Sequence, residues 1–129
     1  MQKEKLKLIY EKYGLEASMF FKHQHYTIVT REGIEKIQQA ESIRISYDII
    51  EGNTQEGIVT LHAKGYRAEE PDYVVETFGE VNPKNNRNAY PWAMAEKRAL
   101  SRVVLKLSGL YSEGVFGEDE SDSFKRSTL

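Results

Sequence analysis

Between positions 84 and 106 the chain carries six basic residues, Lys84, Arg87, Lys97, Arg98, Arg102 and Lys106, against one acid, Glu96. Cations at this density can neutralise phosphates. Arg98 and Arg102 are four residues apart, so a helix would stack them on one stripe about a turn from each other. Like charges at that spacing slightly destabilise a helix, which calls for a compensating partner. A phosphate backbone is one candidate, and acids from the sheet or the tail are the other.

Other chemistry is thinly represented. Neither GxxxxGK[ST] nor GxGxxG occurs, so nothing cradles a nucleotide phosphate. His23 and His25 alternate along an extended stretch and His62 stands alone, with no third ligand to complete a metal site, so surface or packing roles fit better. The run Glu118-Asp119-Glu120-Ser121-Asp122 lacks the spaced ligands and turn glycine of a calcium loop. No nucleophile-base pair or paired acids stand out. The expectation is a protein that is not an enzyme, with no cofactor and no metal.

The chain has 129 residues, of which 40% are hydrophobic and 29% charged, which fits a single folded domain. There is no Cys, so disulfides are excluded and a reducing, cytoplasmic location fits. No apolar run approaches the roughly 20 residues of a membrane helix. The net charge is -2, whereas nucleic-acid-binding domains are usually basic. That sum conceals an asymmetry, because Glu113, Glu118, Asp119, Glu120 and Asp122 follow the basic segment with no cation among them.

The elements that must position these residues are read from periodicity. Residues 2–13 form an amphipathic helix ending at Gly14, residues 25–30 a short strand, and residues 31–41 a second helix weakened by Gly33. From Ser42 the period changes to two. Ile43, Ile45, Tyr47 and Ile49 fall on one side, and after the turn EGNTQEG the alternation resumes through Val59, Leu61 and Ala63, which reads as a long hairpin. Residues 73–81 make a third strand, and NPKNNRN is a polar, basic loop. The last helix opens at Tyr90-Pro91-Trp92 and closes at Gly109.

At about 100° per residue, Trp92, Ala93, Ala99, Leu100, Val103 and Leu107 share one face of that helix. Arg98, Ser101, Arg102 and Leu105 lie opposite, flanked by Lys106. Glu96 falls on the apolar face and would need a basic or hydrogen-bonding partner, such as Arg44, Arg67 or a loop amide. The fold class is α+β, a three-stranded (or four-stranded) antiparallel sheet covered on one face by helices, with a β-β-β-α core. One domain spans residues 1–117, and residues 118–129 read as a flexible acidic and polar tail.

The segment AYPWAMAEKRALSRVVLKLSGLYSEGVFGEDESD resembles the closing helix and acidic segment of phage and mobile-element single-strand annealing proteins, the Erf-like group and its eukaryotic ring-forming relatives. The resemblance covers residues 26–122 in element order and residues 89–122 in wording. It implies a homo-oligomer, ring or filament, that binds single-stranded DNA in a basic groove and pairs complementary strands in recombination without ATP. Carried over by position, the DNA-binding residues are Lys64, Tyr66 and Arg67 at the hairpin's end and Lys97, Arg98 and Arg102 on the helix. Lys84, Asn86 and Arg87 in the preceding loop join them. Lys and Arg would neutralise phosphates, and Tyr66 or Tyr90 could stack on bases. The competing reading is a small α+β ligand-binding or scaffolding domain with an apolar pocket between sheet and helix, for which the eight Tyr and five Phe supply lining.

Overall fold

The period-two alternation that starts at Ile43 folds into an antiparallel meander. The computed structural model of the protein describes residues 3–120. Strand β3 (Ile43–Asn53) pairs with β4 (Ile58–Arg67), and β4 pairs with β5 (Glu70–Val81), giving a sheet ordered β3-β4-β5. A bulge lies between Ile49 and Glu51, which flips the register of the strand's outer third. The third strand, expected over residues 73–81, begins earlier, because only Ala68 and Glu69 make the turn and Glu70 already pairs with Arg67.

The chain has three helices, α1 (Lys3–Tyr13), α2 (Arg31–Ala40) and α3 (Pro91–Leu107), of which α3 packs on this sheet. Thr30 starts α2 by accepting the Gly33 N–H on its hydroxyl at 3.3 Å, which satisfies one of the orphan donors of the first turn. Ile34 and Ile37 are then buried on one face. The fold class is thus α+β. A second, smaller sheet was not foreseen. Strands β1 (Phe20–His23) and β2 (Tyr26–Val29) form a short hairpin, and β6 (Val115–Gly117) joins β2 in parallel.

Helix α3 is the centre of the molecule. One side rests on β5 and β4, while β6, α2 and the 3-10 turn Glu118–Glu120 pack against its other sides. Ala95, Ala99, Val103, Val104, Leu105 and Leu107 are all buried. Its C-terminal half packs with Tyr13, Val29, Ile34, Ile37, Ile43 and Val115. Its N-terminal half packs, through Ala95, with Val59, Leu61 and Val81. Two glycines make this close approach possible. A side chain at Gly79 would collide with the Ala95 carbonyl and the Ala99 methyl, and one at Gly117 would lie 2.6 Å from the Ser101 hydroxyl. Backbone meets helix directly at Gly79, which leaves no space there for an apolar pocket between sheet and helix.

No helix among the described residues is long and apolar enough to cross a membrane.

Gly79→Ala should therefore cost about 3 kcal/mol or more, because the obstruction is helix backbone that no rotamer change relieves. Urea unfolding measures this, with Ser46→Ala on the exposed face of β3 as a near-neutral control. An unchanged midpoint for Gly79→Ala would contradict the close contact.

Candidate nucleic-acid interface

The arginine stripe expected to face phosphate faces the protein instead. Arg98 is 1% exposed. Its Nε donates to the Asp119 carbonyl at 2.9 Å, Nη1 to the Glu80 carbonyl at 3.0 Å and to Asn85 Oδ1 at 2.9 Å, and Nη2 to the Asn85 carbonyl at 2.6 Å. Arg102 donates to the Phe78 carbonyl at 2.6 Å, to Glu80 Oε1 at 2.8 Å and to Glu120 Oε1 at 2.6 Å. Burial would by itself lower the Arg102 pKa, but the Glu120 and Glu80 carboxylates raise it, so the side chain stays charged. One turn further, Lys106 Nζ donates to Thr77 Oγ1 at 3.2 Å. The stripe thus runs along the outer edge of β5, and its guanidinium donors satisfy carbonyls that no neighbouring strand meets.

This corrects the helical wheel. Ser101 and Leu105, assigned with the arginines to the polar side, are buried, while Trp92, Ala93 and Glu96, assigned to the core, are exposed. The cause is that the chain returns. Residues 115–120 fold back over the supposed outer face, so α3 is enclosed on most of its circumference. Glu96 needs no buried partner, and its charge together with burial pushes the Tyr47 phenol up to about 12, burial being the larger cause. The first residues of the expected tail are likewise docked. The Glu118 carboxylate accepts the Arg31 N–H at the start of α2 at 2.7 Å, and Glu120 is 7% exposed. Residues 121–129 lie outside the described residues.

The other expected contacts divide between two ends of the sheet. Lys64 sits on the face away from α3, 3.8 Å from Glu76. Tyr66 is half-buried beside Arg44, and Arg67 pairs with Glu70 at 3.5 Å and Glu41 at 3.8 Å. These three lie roughly 23 Å or more along β4 from its Gly57 end, at about 3.3 Å per residue. Lys97 is half-buried on the side of α3 that meets the Glu118–Glu120 turn, where its charge reaches Asp119. His62 lies 3.3 Å from Glu76, and no His, Asp and Glu cluster among the described residues is placed to hold a metal ion.

Asn86 and Arg87 line a cleft at the start of α3, and Lys84 follows the lining residue Pro83 without lining it. The cleft volume is about 290 Å³, with the 54–57 turn of the β3–β4 hairpin on one side and Pro83, Asn86, Arg87 and Asn88 on the other. Local hydrogen bonds stiffen this loop. The Asn82 side chain accepts the Lys84 and Asn85 N–H groups, Asn86 Oδ1 accepts the Asn88 N–H, and Asn88 Oδ1 accepts the Tyr90 N–H at 2.6 Å. The buried Arg98 anchors the loop from beneath through both oxygens of Asn85. Lys84 is exposed and forms no ion pair with any described residue. No acid occurs from Asn82 to Ala95.

Two aromatics flank the cleft. Tyr90 is 71% exposed and Trp92 37%. The Trp92 ring lies against Gly52 and its Nε1 donates to Thr54 Oγ1 at 2.9 Å, so the indole is held in one orientation with an open edge. The hairpin turn and Trp92 were not foreseen as part of a site. The signal was present in the sequence, as an aromatic-Pro-aromatic run directly after an acid-free basic loop. The pairing of that run with the hairpin turn is a long-range contact that no local pattern reports.

Comparison with known proteins gives no match to any family model, to any curated protein or to any solved structure.

Arg98→Ala should destabilise the fold by about 3–5 kcal/mol, since it strips donors from buried carbonyls and from Asn85. Thermal melts should show Lys84→Ala near wild type beside it. Asp119 titrates in the opposite sense to a stabilising acid. Burial, then the Glu118 charge, hold its pKa above the usual carboxylate value. Its ionisation is therefore disfavoured in the folded state, a penalty present above the ordinary pKa of about 3.9 and absent well below it. Asp119→Asn should raise the melting temperature at pH 7 and leave it unchanged near pH 3, and a loss of stability at pH 7 would refute this.

Proposed function

We propose that this chain is a non-enzymatic, cytoplasmic single-stranded DNA-binding protein that promotes ATP-independent annealing in recombination, of the phage or mobile-element kind. The observation that carries the reading is the polar cleft at the start of α3, lined by Arg87 and neighboured in the chain by Lys84 and the exposed Tyr90 and Trp92. Cations neutralise the phosphates of a flexible strand, while aromatic faces stack on its bases without regard to sequence. Arg98 and Arg102 serve this reading indirectly, because they fix the loop and the helix that present the contact residues. Lys64, Tyr66, Arg67 and Lys97 remain candidates for a longer path of the strand over the sheet and helix.

Homo-oligomerisation is part of the same proposal. Arginines close the β5 edge, but β3 is the other edge of its sheet, and Ile49 and Ile50 on it are 66% and 61% exposed. An uncovered edge strand with apolar side chains is a template for another chain, and a second copy of this protein is the proposed occupant.

Trp92 is the single tryptophan, so its fluorescence reports on the cleft directly. Titration with a thymidine oligonucleotide should quench it, with an affinity that falls with salt by about 0.7 log unit per log unit for each phosphate contacted. Lys84→Ala with Arg87→Ala should lower that slope by about 1.4. Tyr90→Ala should weaken binding by about 1–3 kcal/mol if its ring stacks on a base. A chain that elutes as a monomer and whose fluorescence ignores single-stranded DNA would overturn the proposal.

A further inference from the structure

One lining group is at odds with a purely phosphate-binding cleft. Glu56 comes from the hairpin turn and lines the cleft opposite Arg87. Its backbone N–H is held by Asn53 Oδ1 at 3.0 Å, so the turn that carries it is fixed. The side chain is exposed, and its carboxylate forms no ion pair or hydrogen bond with any described residue. A carboxylate so placed repels phosphate. It can contribute to binding only by accepting hydrogen bonds, since an ionised carboxylate has two acceptor oxygens and no donor.

The volume, about 290 Å³, is at the lower end of the range for small-molecule clefts, roughly 300–1,000 Å³. One unstacked base fits that scale better than a large cofactor. Among the DNA bases, guanine alone presents two adjacent donors on its Watson–Crick edge, N1–H and the N2 amino group. Adenine and cytosine present one amino group beside an acceptor, and thymine one N–H between two carbonyls. Two parallel acceptors match two parallel donors, and such charge-assisted pairs are the strong and directional ones.

We infer that the cleft between the hairpin turn and the loop before α3 is a guanine subsite, in which the Glu56 carboxylate accepts from N1–H and N2–H of one unstacked base. This inference rests on the single-strand reading above and adds to it a base preference that phosphate neutralisation and stacking do not supply. Arg87 and Lys84 lie on the opposite wall and beside it, where the guanine O6 and the flanking phosphates would sit. Tyr90 is exposed between the lining residues Ala89 and Pro91, where the next base of the strand could stack on its ring.

The test uses the full chain and the Trp92 signal. Three oligonucleotides are compared, all-thymidine, the same with one central dG, and the same with one central deoxyinosine, which keeps N1–H but lacks the N2 amino group. The dG oligonucleotide should bind about tenfold more tightly than the thymidine one, and inosine should lose most of that gain. Glu56→Gln should erase the preference and tighten the all-thymidine complex, because a negative charge leaves the cleft. Equal affinity of the wild type for the dG and thymidine oligonucleotides would overturn the guanine subsite and leave single-strand binding standing. A dG preference that survives in Glu56→Gln would do the same. Absence of binding to all three would overturn this inference together with the reading beneath it.

Discussion

A single buried cation organises the C-terminal half of this molecule. The Arg98 guanidinium reaches the end of β5 at Glu80, the loop before α3 at Asn85 and the returning chain at Asp119. Taking a guanidinium out of water carries a penalty of several kcal/mol, which only a nearly complete set of acceptors can offset. Arg is suited to this because its planar fork offers five donors in fixed directions. A lysine, with three donors on one nitrogen, could not serve all four of the acceptors that Arg98 meets. Gly79 and Gly117 belong to the same arrangement. They let the sheet on one side and β6 on the other come close enough to α3 for the short reach of Arg98 and Ser101 to succeed.

From this follows which surfaces are closed and which stay open. Arg98, Arg102 and Lys106 spend their donors on the β5 edge, so neither that edge nor those cations are available to a partner without dismantling the fold. Among the described residues, the β3 edge has no such cover. The start of α3 lies beyond the returning chain, so Tyr90 and Trp92 stay exposed where the helix begins. The loop between them and β5 is held from below by Asn85 and shaped from within by its own asparagines. The cleft is therefore preformed, and a ligand entering it would not have to order the loop first.

The sequence was informative wherever the pattern is local. Period-two alternation located β3 and β4, a helical period located α2, and Pro91 and Gly109 bounded α3. It misled wherever the chain returns on itself. A helical wheel assumes that the side bearing Arg98, Ser101 and Arg102 faces water, and nothing within residues 90–109 reveals that Val115–Glu120 will cover it. Strand β6 is three residues long, too short for any periodicity, and it pairs in parallel with β2 across most of the chain. The acids at 118–120 read as a solvated tail for the same reason, although the Glu120 carboxylate pairs with Arg102 and the Asp119 carbonyl accepts from Arg98. The site shared this fate in part. The basic loop was legible by composition, whereas its opposite wall at 54–57 became visible only once the hairpin was folded over Trp92.

The internal pairing also bears on the charge of the chain. Arg102 is neutralised by Glu80 and Glu120, Arg67 by Glu41 and Glu70, and Arg98 is buried. A net charge of -2 thus coexists with a locally positive surface, but that surface is small, with Lys84 and Arg87 as its main cations. On the proposed reading, one copy neutralises only a few phosphates, which by itself supports weak binding. Useful affinity then has to come from repetition, with adjacent copies holding successive stretches of one strand so that each later contact is made at high effective concentration. On that proposal, a binding surface this limited and the exposed β3 edge belong to one arrangement, in which the single chain would be the repeating unit and the assembled row the binding protein.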